Sequence, residues 1–154
     1  MMLIEKNILV AEDDPNDAFL LKRAFAREGV KVSLRFAQDG QEAVDYLTGE
    51  NGFNDRQEHP LPDLLLLDLK MPKLNGFEVL QWVRRQPGLN RMLVVMLTSS
   101  GEMEDINRAY DLGANSYLVK PTNHEDLSHI AKLVRDYWID RNKRPEYGPI
   151  PLAS

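Results

Sequence analysis

The sequence predicts an α/β fold, a doubly wound five-stranded parallel sheet in the flavodoxin-like order 2-1-3-4-5 with helices on both faces. Three observations carry that prediction. Leu64-Leu65-Leu66-Leu67 lacks the alternation of a half-wet strand, and Pro62 before it and Pro72 to Gly76 after it leave too little length for a helix. Ile8 to Ala11 and Met92 to Leu97 are apolar runs of the same kind, as expected of parallel strands buried on both faces. Segments of helical periodicity separate the runs, and right-handed crossovers return each strand to one sheet.

In chain order, the first strand, Asn7 to Ala11, ends in Glu12-Asp13-Asp14-Pro15. An Asp before a Pro reads as N-cap and first helical residue, so a helix runs from Asp14 to about Glu28-Gly29 with Ala18, Leu21, Ala24 and Phe25 inward. Val30 to Phe36 is the second strand, and Asp39-Gly40 opens a short helix with Ala43, Val44 and Leu47 on one side. Thr48 to Pro62, rich in Gly, Asn, Asp and Pro, reads as a long surface connection into the leucine run. Asn75-Gly76 then starts a helix with Phe77, Leu80 and Val83 inward, closed by Pro87-Gly88.

The fourth strand is Met92 to Leu97, the next helix runs from about Glu102 to Asp111 and stops near Gly113, and Ser116 to Val119 is the fifth strand. The last helix starts after Thr122-Asn123, with Glu125 and Asp126 at the positive end of its dipole. Leu127, Ala131, Val134 and Trp138 make one stripe of it, and Ile130, Leu133 and Tyr137 an adjoining one. That arc is wider than packing on one sheet uses and points to a partner or a second subunit. Asn142 to Ser154, with Pro145, Pro149 and Pro151, reads as an extended tail. The expected organisation is one domain over residues 1–141 and a tail over 142–154.

Bulk properties narrow the function. A chain of 154 residues suits one domain and needs no disulfide or structural metal. The absence of cysteine excludes thiol catalysis and zinc thiolate sites. Met1 to Lys6 does not open a secretory leader, and no apolar run approaches the ~18 residues of a membrane helix, so a soluble cytoplasmic protein without a membrane partner is expected. A net charge of −5 with mixed signs argues against a nucleic-acid partner.

The predicted strand order has its switch point between the first and third strands, which sets Glu12 and Asp13 beside Asp68 at the carboxyl ends. Thr98 ends the fourth strand and Lys120 follows the fifth. Oxygen-only ligands suit Mg²⁺, with Mn²⁺ as a substitute, and converging carboxylates repel unless a cation joins them. A lysine and a hydroxyl on the far side of Asp68 are what a phosphoryl group on that carboxylate needs. The set reads as phosphorylation of Asp68.

With these residues in view the sequence resembles a response regulator receiver domain, the phosphoacceptor of two-component signalling, over Lys6 to Trp138. The matching pieces are Ile8 to Asp14, Leu67-Asp68-Leu69-Lys70-Met71-Pro72 with Asn75-Gly76, Leu97-Thr98-Ser99, and Tyr117-Leu118-Val119-Lys120-Pro121. The resemblance implies the CheY-like version of the fold and a signalling switch, not an enzyme. In it Asp68 accepts a phosphoryl group from a histidine kinase's phosphohistidine. It implies direct metal ligation by Asp13 and Asp68, a further ligand from the main-chain carbonyl of Lys70, and help from Glu12 through water. Lys120 then pairs with the phosphoryl group, Thr98 turns its hydroxyl onto it, Tyr117 swings inward, and the Lys120–Pro121 bond is expected to be cis.

The long 48–62 connection, the Asp-Tyr-Trp of the last helix and the proline-containing tail resemble small regulators that partner phytochrome-type kinases. Such regulators lack an output domain and form homodimers through the fourth helix, fifth strand and fifth helix, which agrees with the stripe at Ile130, Leu133 and Tyr137. The kinase is expected to dock near Asp68, against Pro15, Asn16 and Leu20 and the loop at Pro121. Lys70 departs from the smaller or acidic residue common two places after the phosphoacceptor, and with Ser100 it lines the path for attacking water. A haloacid-dehalogenase-like phosphatase wants a second Asp at position 70, which is a lysine here. A binding module that has lost phosphorylation is the other alternative, although acceptor, hydroxyl and lysine are all present. His59, His124 and His129 fall outside the inferred cleft, and Trp82 and Trp138 read as packing or interface groups.

Overall fold

The computed structural model describes residues 6–29 and 31–149, with the backbone alone at 124 and 125. The expected strand start at Val30, residues 150–154 of the tail and the first-turn side chain of Glu125 lie outside the described residues. Five parallel strands, β1 (Lys6–Ala11), β2 (Val32–Ala37), β3 (Leu64–Leu67), β4 (Val94–Thr98) and β5 (Ser116–Val119), form one sheet in the order β2-β1-β3-β4-β5. The helices α1 (Pro15–Arg27), α2 (Gly40–Thr48), α3 (Gly76–Arg85), α4 (Met103–Asp111) and α5 (His124–Leu133) alternate with them. This is the predicted fold and strand order.

The leucine run shows why β3 is central. Leu64 and Leu66 pack with Ile8, Val10, Val95 and Leu97 under Leu21 and Phe25 of α1 and Ala131 and Val134. Leu65 and Leu67 point to the opposite face, where Leu47 of α2 and Leu80 and Val83 of α3 cover them. Each leucine is at most 1% exposed, so the strand contributes about 1.5–3 kcal/mol per side chain from both faces. Register pairs Ala11 with Leu67 and Leu67 with Met96, and so aligns the strand ends at one edge.

Local signals set the helix starts. Asp14 accepts from the N–H groups of Asn16 and Asp17, and Asn75 and Glu78 form a reciprocal capping box with bonds of 2.9 and 3.0 Å. At the opposite edge of the sheet Arg84 donates to the carbonyls of Gly113, Asn90 and Met92 and to Asn115 Oδ1, bracing α3 against two turns.

Three segments differ from the sequence reading. The 48–62 connection is a packed loop: Arg56 donates to the Tyr46 and Leu47 carbonyls at the end of α2, and the Phe53 and His59 rings meet Tyr46 at 5.2 and 5.8 Å. The last helix widens into a π-turn over Val134–Ile139, which adds Ile139 to the buried stripe. The described part of the tail is extended but tied down, because its Tyr147 carries an apolar ring that packs against the core. The Tyr147 hydroxyl donates to the Pro62 carbonyl, Arg144 pairs with Asp63 at 2.8 Å, and Gly148 N–H donates to the Gly88 carbonyl at 3.1 Å. Burial pushes the Tyr147 phenol up to about 12.

Candidate functional site

Four of the five strands, β1, β3, β4 and β5, deliver the parts of a site at the carboxyl edge. The Glu12 N–H continues the ladder onto the Ala37 carbonyl at 3.0 Å, and the Asp68 N–H onto the Ala11 carbonyl at 3.1 Å, so both acids leave the sheet on fixed backbone. Glu12 is 6% exposed and Asp68 8%, while Asp13 beside them faces solvent. One carboxylate oxygen from each of Glu12, Asp13 and Asp68 lies within 4.8 Å of the others. Three oxygens so close suit a small hard cation, and no sulfur or imidazole joins them.

Lys120 reaches into that group. Its Nζ donates to Asp68 Oδ2 at 2.9 Å, to Asp17 Oδ2 at 3.1 Å and to Glu12 Oε1. Its position comes from the β4–β5 edge, where the Lys120 N–H donates to the Thr98 carbonyl at 2.7 Å. Burial pushes the Glu12 carboxyl above its ordinary range, with the nearby Asp68 charge adding to it against the opposing pull of Lys120. For Lys120, burial alone would lower the ammonium, but the bonds and charges of Glu12 and Asp68 outweigh it and hold the proton on.

Thr98 is 1% exposed and its Oγ1 has no hydrogen-bond partner among the described residues. A buried hydroxyl without a partner costs on the order of 1–3 kcal/mol, which an oxyanion at this edge would recover. The site thus carries clustered acids for a cation, an ammonium that touches two of them, and at the neighbouring strand end a hydroxyl with no partner among the described residues. The residues present fit a divalent cation and a phosphoryl group.

The close approach of α3 is part of the construction. Gly76 donates its N–H to the Leu69 carbonyl at 2.9 Å, and a Cβ built on it would stand 2.2 Å from the Asp68 carbonyl oxygen. Only glycine lets the helix start this near the end of β3. The Asp68 Oδ1 in turn accepts from the Leu69 N–H at 2.7 Å.

Other expected residues stand further out. Lys70 is exposed on the rim of an open cavity of about 500 Å³ shared with Asp13 and Arg108. Tyr117 is half-buried and its hydroxyl donates to the Ser100 carbonyl at 2.8 Å, outside the carboxylate cluster. Leu133 and Tyr137 are 55% and 54% exposed, but Ile130 is half-buried against the core and contributes less surface than its stripe suggested. His59 packs edge-on against Tyr46 and Phe53 in the long loop, and His129 faces Asp126. Trp82 and Trp138 pack on the core, as expected of packing groups.

One expectation is corrected: the Lys120–Pro121 bond is trans, the isomer an X–Pro amide favours by about 0.5–1 kcal/mol. One contact escaped the sequence reading. Asp17 lies in the first turn of α1, just past the Glu12-Asp13-Asp14 run, and that nearness was the available signal, but a first-turn acid is already explained by the helix dipole. A cavity of about 220 Å³ opens between α1 and the β5–α5 loop, lined by Asp17, Leu20, Lys120, Pro121 and Leu127 beside Asp68.

With this geometry in place, comparison with known proteins is direct. Residues 8–132 match the response regulator receiver domain. The probable methanogenesis regulatory protein FilR2 of Methanothrix harundinacea is 39% identical over 142 residues, 92% of this chain and 88% of that protein. The phosphorylated cyanobacterial phytochrome response regulator RcpA superposes with a TM-score of 0.85 at 35% identity, covering 93% of this chain and all of that one. Response regulator Rcp1 of Synechocystis is 33% identical over 88% of this chain and 90% of its own length. The Mn²⁺-bound form of Rcp1 superposes with a TM-score of 0.80 at 32% identity, covering 91% of this chain and 99% of that one.

Proposed function

The chain belongs to the response regulator receiver domain family, and from that premise we propose that it is a phosphorylation switch in which Asp68 accepts a phosphoryl group from a histidine kinase. The observation that carries the reading is the buried Asp68, one of three clustered carboxylates, with a lysine 2.9 Å from its Oδ2. An Asp68 carboxylate oxygen attacks phosphorus, a P–O bond forms, the P–N bond of the phosphohistidine breaks, and its electron pair leaves with the imidazole nitrogen. Asp13 and Asp68, with the Lys70 carbonyl, would hold Mg²⁺, or Mn²⁺ in its place, with Glu12 helping through water. When bound, the cation neutralises charge on the transferring phosphoryl oxygens. Lys120 pairs with one phosphoryl oxygen and Thr98 donates its hydroxyl proton to another, with Tyr117 following Thr98 inward.

The kinase is proposed to dock at the cavity between α1 and Pro121, with Asn16 and Leu20 on its wall. Likeness to the phytochrome response regulator RcpA supports a phytochrome-type kinase as that partner, and residues 142–154 are read as an extension of the receiver domain. Among the described residues no helix is long and apolar enough to cross a membrane. Lys70 stands where a phosphatase of this chemistry needs its acid, which favours the switch over turnover.

The test is phosphorylation by a small phosphodonor. With Mg²⁺ present the protein should gain the mass of one phosphoryl group, and EDTA should suppress the gain. No gain, or a gain indifferent to EDTA, overturns the reading.

The exposed Leu133 and Tyr137, with Tyr110 and Val119 on the neighbouring α4 and β5, support a homodimer through that face. Sedimentation should find wild type dimeric and Leu133→Asp monomeric at the same concentration; a wild type that stays monomeric at high concentration refutes the dimer.

A further inference from the structure

We infer that Asp17 is a positioning residue, which holds the third ammonium proton of Lys120 in the unphosphorylated protein and is displaced from it by the phosphoryl group. The inference rests on the reading of Asp68 as phosphoacceptor. An ammonium has three N–H donors, and Lys120 spends all of them on carboxylates, those of Glu12, Asp68 and Asp17. It can meet a phosphoryl oxygen only by releasing one of the three.

Burial decides which. The Glu12 side chain is 5% exposed, so little water can replace its contact with Lys120. Asp68 is 11% exposed and is itself the group that takes the phosphoryl. Asp17 is 41% exposed, so water solvates it once the contact opens. It also sits in the first turn of α1, where the positive end of the helix dipole favours a carboxylate whether or not Lys120 is near. Asp17 and Lys120 line the same cavity of about 220 Å³, so the released carboxylate has room to turn away.

A placeholder of this kind competes with the phosphoryl group. Removing it should tighten binding of a phosphoryl mimic, by the range an exposed ion pair allows, about two- to fivefold. The probe is beryllofluoride with Mg²⁺, titrated calorimetrically onto the full chain. Asp17→Asn should bind it about two- to fivefold tighter than wild type. Asp17→Glu, which keeps the carboxylate, should return to wild-type affinity. The double variant Asp17→Asn/Phe19→Asp restores the net charge at a residue that is 60% exposed and about 200° further round the helix. It should bind as Asp17→Asn does, because it lacks the contact.

Unchanged or weaker binding by Asp17→Asn overturns the inference, and so does a double variant that returns to wild-type affinity, since the charge alone would then act through its field. Wild type that takes up no beryllofluoride at all defeats the phosphoacceptor reading and this inference together. Wild type that binds it, with an Asp17→Asn that gains nothing, defeats this inference alone.

Discussion

Asp68→Asn is expected to abolish phosphoryl incorporation from a small phosphodonor in Mg²⁺ while leaving the protein folded. The amide offers no carboxylate oxygen to form the P–O bond, and the change also takes one oxygen from the three-carboxylate cluster and the charge from the partner of Lys120. Stability should move the other way or not at all. Glu12, Asp68 and Asp17 share a single ammonium, so one fewer negative charge relieves their mutual repulsion. Mass spectrometry reads the first effect and thermal unfolding the second. Phosphoryl label that survives Asp68→Asn would place the acceptor elsewhere.

Gly76→Ala is expected to destabilise the domain by about 3 kcal/mol, the upper part of the overpacking range. In an ordinary helix the same change stabilises by about 1 kcal/mol, so even the sign is diagnostic. Here the new methyl would stand 2.2 Å from the Asp68 carbonyl oxygen and 2.8 Å from the Leu69 Cα, both backbone atoms that no rotamer change can move. The strain can be relieved only by pushing the start of α3 away from the reactive strand end. Phosphorylation should therefore slow along with the loss of stability, because Asp68 shifts against Lys120 and Asp13. A Gly76→Ala protein with wild-type unfolding temperature would show that α3 does not hold this strand end in place.

How much of this was visible in the residues can be judged from particular ones. Asp68 was legible because a charge at the end of four consecutive leucines has no reason to be there unless it faces a cleft. Glu12, Asp13, Thr98 and Lys120 became legible once the strand order placed their strand ends side by side. Asp17 was not, since its role depends on a lysine 103 residues away. The packing of Tyr147 was not legible either, because a proline-containing tail carries no periodicity to say where it lands. Ile130 was assigned to the outer stripe by spacing alone, and its half-burial came from the neighbouring elements.

By itself the sequence determined the class of fold, the strand order and the chemical types gathered at the carboxyl edge. Apolar runs, caps and strand-end polarity act over a few residues, and a parallel α/β chain has few ways to combine them. Only the tertiary structure decided which carboxylates compete for Lys120, how near α3 comes to Asp68, and that the tail is held by Pro62, Asp63 and Gly88. Those are contacts between side chains and backbone far apart in the chain, and their geometry depends on distances of a few ångströms that no local pattern encodes.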